Sequence, residues 1–160
     1  MKATGIVRRV DELGRLVIPK EIRRTMRLAE GTPLEIFTDR EGQIILKKYS
    51  PMMELGSFAK QYAESVAQTM NQKVAVSDRD QIIAVAGGGK RELLGKTISR
   101  QLEEMIINRE NSIQAGLDKK TIPLISGDED SYSAQAIYPI CCEGDCIGAV
   151  ILYSRENQTH

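Results

Sequence analysis

Seven basic side chains crowd into one short stretch of this sequence: Arg8, Arg9, Arg15, Lys20, Arg23, Arg24 and Arg27. Apolar residues alternate with them, first Ile6, Val7 and Val10, then Leu16, Val17 and Ile18, on either side of an acidic-glycine turn over residues 11–14. Pro19 then opens a helix that carries Lys20, Arg23, Arg24 and Arg27 on one side. A guanidinium grips a phosphate or a guanine edge through two parallel hydrogen bonds. Two short strands and a helix loaded with such forks suit an anionic polymer better than a small substrate. The ordinary alternative for a charge run is a solvated face. Against it, these charges are spread over strand, turn and helix rather than gathered in a tail. The stretch reads as an element for double-stranded DNA.

Other chemistry finds little support. Gly87-Gly88-Gly89-Lys90 invites comparison with a phosphate-binding loop, which needs G-x-x-x-x-G-K-[ST]. Here the first glycine position is Ala84 and the hydroxyl position is Arg91, so a strand-to-helix turn is the better reading. Cys141, Cys142 and Cys146 are odd in number and bunched, which is no disulfide framework. The single histidine, His160, leaves them short of a structural zinc set, and they read as packing residues, with a redox-sensing thiol as the alternative. Asp128-Glu129-Asp130 reads as a solvated loop. No nucleophile–base set can be assembled, so neither catalysis, nor a cofactor, nor a metal is expected.

The charge is unevenly placed along the 160 residues. Residues 1–50 hold eleven Lys/Arg against seven Asp/Glu, whereas the rest holds eleven against fifteen, so a net charge of zero conceals a basic head. No apolar run approaches the roughly 20 residues that span a bilayer. No signal-peptide core is present either, and the expected compartment is the cytoplasm, associated with the nucleoid.

The elements that must position the arginines come next. Residues 1–50 form one unit, in which the helix stops near Gly31 and two further strands, over 33–39 and 43–49, flank a turn at 40–42. Four short strands and one short helix bury little core, so a homodimer is expected on physical grounds. With Val10 and Arg15 flanking the first turn, Arg8 and Arg15 are expected on one face of the ribbon.

Residues 2–8 (KATGIVR), 11–15 (DELGR), 17–19 (VIP), Arg23-Arg24 and 34–36 (LEI) closely resemble the AbrB-type DNA-binding domain. The resemblance implies a swapped-hairpin β-barrel made by two interleaved subunits. It places the family's DNA-contacting arginines on Arg8, Arg15, Arg23 and Arg24.

Ser50-Pro51 opens a linker helix over residues 51–71, with Met52, Leu55, Ala59, Tyr62, Val66 and Met70 at helical spacing and Phe58 and Ala63 widening the stripe. It serves either to pack on the second domain or to pair with its copy in another subunit. Residues 72–160 then read as a hairpin over 73–86, a short helix to Leu94, a helix from Ile98 capped by Thr97, a strand over 121–125 and a hairpin over 134–154. An antiparallel sheet with helices on one side is expected, making the whole chain α+β.

The terminal hairpin (Tyr138-Pro139-Ile140, Gly144, Ile147-Gly148-Ala149-Val150) resembles the end of GAF sensor domains. Head and body together resemble the stage V sporulation protein T family of transcription regulators. That resemblance implies DNA-dependent regulation of sporulation-type genes. It also implies a GAF-like body for sensing an unknown small molecule or for holding a tetramer. Members of the family continue into a C-terminal helix; this sequence stops at His160, so a body without that helix is expected. The competing reading is a toxin-neutralising antitoxin with the same head. Antitoxins append a disordered tail, and residues 51–160 carry too much periodic apolar content for one.

Overall fold

The structure is a computed structural model that describes residues 2–128 and 132–155. Glu129, Asp130 and His160 therefore lie outside the described residues. The chain divides into two compact units, Met1–Tyr49 and Ser50–His160.

In the first unit, α1 (Lys20–Thr25) starts behind Pro19 and lasts six residues. It stops well before Gly31. Arg27 takes a left-handed conformation (φ 56°), and the Leu28 N–H returns to the Arg23 carbonyl at 2.7 Å, a closing pattern that ends the helix. β1 (Leu34–Thr38) and β2 (Ile44–Lys48) then pair antiparallel, with Ile36 opposite Leu46. Residues 2–18 form no strand, contrary to the expected first hairpin. Its turn closes through Asp11 N–H to Arg15 C=O at 3.0 Å, but no ladder follows on either side. Extended backbone needs a neighbour to make a ladder. Among the described residues of this unit no apolar side chain is buried, and Val7, Val10, Leu13, Val17, Ile36 and Ile44 are each more than 60% exposed.

In the second unit a five-stranded antiparallel sheet runs in the order β4-β3-β7-β6-β5. Its strands are β3 (Lys73–Ser77), β4 (Ile82–Ala86), β5 (Ser112–Ala115), β6 (Tyr132–Cys142) and β7 (Asp145–Arg155). Helices cover both faces rather than one. On one side, Ala59, Ala63 and Ala67 of α3 (Gly56–Met70) and Met52 of α2 (Pro51–Glu54) pack on Val74, Val76, Ala84 and Ala86. On the other, Leu93 of α4 (Lys90–Leu93) and Leu102 and Ile106 of α5 (Arg100–Ile107) pack with Ala75, Val85, Ile151 and Tyr153. Alternate side chains of a strand point to opposite faces, so two covered faces bury nearly every residue of β3 and β4.

Several expectations for this unit are corrected. The linker helix is broken at Leu55 into α2 and α3, and its buried stripe is Met52 with three alanines, while Leu55, Phe58, Tyr62 and Met70 are exposed. Close approach to a sheet favours the small side chains, and the large ones face outward. Ser99 caps α5 instead of Thr97: its hydroxyl accepts from the Leu102 N–H at 3.0 Å. Residues 121–125 make only an isolated bridge from Ile125 to Ile98, and the fifth strand is β5.

The cysteines are corrected too. Glu143 and Gly144 both have positive φ, the pattern of a tight two-residue hairpin, which sets Cys141 opposite Cys146. These two are joined as a disulfide; Cys142 is free and exposed, so only Cys146 is packed in the core. An odd cysteine count argued against a framework, but register rather than count decides which sulfurs meet.

Candidate nucleic-acid interface

The candidate interface centres on the turn at Asp11. The Asp11 carboxylate Oδ1 accepts from the Leu13 N–H at 2.9 Å and from the Arg15 N–H at 2.8 Å. Its Oδ2 accepts from Arg15 Nε at 2.7 Å. The Gly14 N–H donates to the Asp11 carbonyl at 3.0 Å, and Gly14 supplies the positive φ (79°) that the turn requires. The Arg15 N–H, then its guanidinium, then the Leu13 N–H hold the Asp11 carboxyl below the ordinary carboxylate value.

The turn closes one residue later than expected. Asp11 and Arg15 are the opposed pair, so alternation along an extended chain places Arg9 rather than Arg8 on the side of Arg15. Arg8 instead donates from Nη1 to the Val7 carbonyl at 3.1 Å and lines an apolar groove. On α1, Arg23 donates from Nε to the Ile18 carbonyl at 3.0 Å, which ties it to the helix entrance. Arg24, Arg9 and Lys20 are exposed. Arg27 is half-buried and ends the helix, where Lys48 Nζ donates to the Met26 carbonyl at 3.0 Å and reinforces the same terminus. Arg27 thus has a backbone role that composition did not reveal.

The groove encloses about 270 Å³ and is lined by Ile6, Leu16, Ile18, Ile22, Leu34 and Leu46 among others. Every one of these belongs to the first unit, and none is buried.

Sequence reasoning missed Asp11, whose carboxylate holds the turn and Arg15 together. A signal was available. Residues 11–15 (DELGR) and 39–43 (DREGQ) are two copies of one Asp-x-x-Gly pattern. Asp39 Oδ1 accepts from the N–H groups of Glu41 and Gln43, both at 2.9 Å, repeating the Asp11 bonds two and four residues on. Gln43 stands where the first copy has Arg15.

In the second unit, Gly87–Gly89 close β4 into α4 as a strand-to-helix turn. Asp128 accepts from the Leu124 N–H at 3.3 Å and from the Tyr132 hydroxyl. Tyr132 meets Tyr153 edge-on at 5.7 Å, and the Arg155 guanidinium lies over both rings, 5.3 Å and 6.0 Å from their centres. No helix among the described residues is long and apolar enough to cross a membrane.

Comparison with known proteins bears on both units. Residues 54–160 match the family model described as stage V sporulation protein T C-terminal, transcription factor. Residues 7–53 match the model described as antidote-toxin recognition MazE, bacterial antitoxin. Stage V sporulation protein T of Bacillus subtilis (strain 168) is 49% identical over 98% of this chain and 86% of its own length. The solution structure of the N-terminal DNA recognition domain of the Bacillus subtilis transition-state regulator AbrB is 67% identical, covering 32% of this chain and 94% of that one, with a TM-score of 0.27. A phycocyanobilin-bound GAF domain from a cyanobacterial phytochrome is 19% identical over 66% of this chain and 73% of that one, with a TM-score of 0.45. Near-complete coverage by one relative, at nearly half identity, places the chain in the stage V sporulation protein T family of transcription factors.

Proposed function

We propose that the first unit binds double-stranded DNA as an interleaved homodimer, through Arg8, Arg15, Arg23 and Arg24 with Arg9, Lys20 and Arg27 beside them. The observation that carries this is a unit with no buried apolar side chain among its described residues, bearing an apolar groove and the exposed arginines Arg8, Arg9, Arg15, Arg23 and Arg24. Extended strands from a second copy would fill the groove and complete the ladders that residues 2–18 lack. The two-fold axis would double the basic set. In this reading the protein is a cytoplasmic regulator, nucleoid-associated, with no catalytic activity and no cofactor. Its body, residues 72–160, takes up an unidentified small molecule or holds the oligomer. The exposed Leu55, Phe58 and Tyr62 on the linker are the surface that would turn dimers into a tetramer.

The antitoxin reading draws on the match over residues 7–53. It is disfavoured because residues 54–160 match a transcription-factor model and form a two-faced sheet core instead of a tail.

The test is a fluorescence-anisotropy titration of the full chain on duplex DNA at several salt concentrations. The logarithmic slope should be about −0.9 per phosphate neutralised. Alanine at Arg8, Arg15, Arg23 or Arg24 should each cost roughly 1–3 kcal/mol, whereas alanine at Lys119 or Lys120 of the body should cost almost nothing. Flat salt dependence, or equal losses from the two lysines, would overturn the assignment.

A further inference from the structure

We propose that Asp11 sets the base selectivity of the head, by holding Arg15 through Nε so that its two terminal nitrogens face outward as a fork for a guanine edge. The proposal rests on the DNA-binding reading above and deepens it.

Three observations carry it. First, the acceptor is itself fixed, because Asp11 Oδ1 is held by the N–H groups of Leu13 and Arg15 at 2.9 and 2.8 Å. The Oδ2 atom that meets Arg15 Nε at 2.7 Å is therefore not on a swinging side chain. Secondly, the Arg15 side chain stays 72% exposed while held. With Nε taken by the carboxylate, the two terminal amino groups remain to match guanine O6 and N7. Thirdly, the turn does not need the arginine. Asp39 builds the same loop with Gln43 in that place, so the ion pair is an addition to a turn already satisfied by backbone bonds.

The electrostatics decide between phosphate and base. A phosphate asks chiefly for positive charge, and a carboxylate 2.7 Å from the guanidinium weakens that attraction. A base edge asks for direction, and there a fixed fork gains what the carboxylate loses in net charge. Asp11 is a positioning residue in this scheme. Arg15 makes the contact.

The experiment first enriches duplexes from a random-sequence pool with the full wild-type chain. Affinities for the enriched duplex and for the unselected pool are then measured for each variant. Asp11→Asn keeps an oxygen for the two backbone N–H groups and removes only the acceptor for Arg15 Nε. The expected result is unchanged or slightly raised affinity for the pool, with the enriched-to-pool ratio falling about tenfold or more. Arg15→Lys keeps the charge and the backbone bonds of the turn but lacks the fork, so it should lose the same ratio. An unchanged ratio in Asp11→Asn, alongside tighter binding to every duplex, would make Asp11 a mere counter-charge and overturn the proposal. Retention of the ratio by Arg15→Lys would do so too, as would a wild-type chain that enriches no sequence. Arg15→Ala separates the levels: should it bind both duplexes like wild type, the DNA-face assignment of Arg15 itself falls.

Discussion

The Arg15 guanidinium and the Asp11 carboxylate meet at 2.7 Å across the turn at residues 12–14, with both partners accessible to water. Exposed pairs of this kind contribute little to stability. Here the carboxylate also accepts two backbone N–H groups, so Asp11 orders a loop that has no ladder on either side, and the ion pair fixes Arg15 on it.

That arrangement has a sign in pH. The Asp11 carboxyl lies below its ordinary value of 3.8 in the folded loop, owing to the Arg15 N–H and then the Arg15 guanidinium. A depressed carboxyl stabilises the folded loop above the ordinary value, and that contribution is lost as pH falls through the folded one. A carbon-detected NMR titration of the Asp11 carboxyl should give a midpoint below 3.8, and Arg15→Ala should move it upward. A midpoint unaffected by Arg15→Ala would contradict the pairing.

Two tyrosines of the body should behave differently. The Tyr132 hydroxyl donates to Asp128, whereas the buried Tyr153 hydroxyl has no hydrogen-bond partner among the described residues. Tyr132→Phe should cost about 1–3 kcal/mol in urea unfolding, while Tyr153→Phe should be neutral or slightly stabilising. Burial pushes Tyr153 up to about 12 and, with Asp128 beside it, pushes Tyr132 higher still. Both contribute stability that is complete below the ordinary phenol value near 10, so the body should weaken as pH climbs from there towards about 12.

Thiol counting tests the terminal hairpin. Protein purified without reductant should show one alkylatable cysteine under denaturing conditions, Cys142, and three after reduction. Three before reduction would contradict the Cys141–Cys146 pair.

On α3 the small residues should matter more for stability than the large ones. Ala63→Leu forces volume into the contact with β3 and β4 and should cost about 1–3 kcal/mol. Phe58→Ser, on the exposed side of the same helix, should change the stability of the body by less than about 0.5 kcal/mol. Sedimentation of the Phe58→Ser variant then reports separately whether that face joins subunits.

Legibility followed the location of each element's partner. β1 and β2 were readable because their alternation and their Asp39 turn are complete within the chain. The alternation of residues 6–18 predicts strands, but the structure shows none there, for want of a neighbour. KVAVS and IIAVA of β3 and β4 carried a signal that went unused. Near-continuous apolar strands imply a sheet covered on both sides, and the helices do lie on both. β5 (SIQA) was missed because two of its four residues are polar and it is held mainly by pairing with β6. The basic residues were visible by type. Asp11 was not, because its importance lies in three hydrogen bonds and not in its charge.

The unclosed first unit has a consequence in reaction order. An apolar set that finds no burial among the described residues of Met1–Tyr49 makes completion of that unit bimolecular under the dimer reading. The number of competent heads would then rise with the square of chain concentration at low expression, and unpaired chains would present extended, protease-accessible backbone. Abundance itself would act as a threshold: a cell holding few copies would have almost no assembled DNA reader, and a modest rise in synthesis would switch on a disproportionate amount.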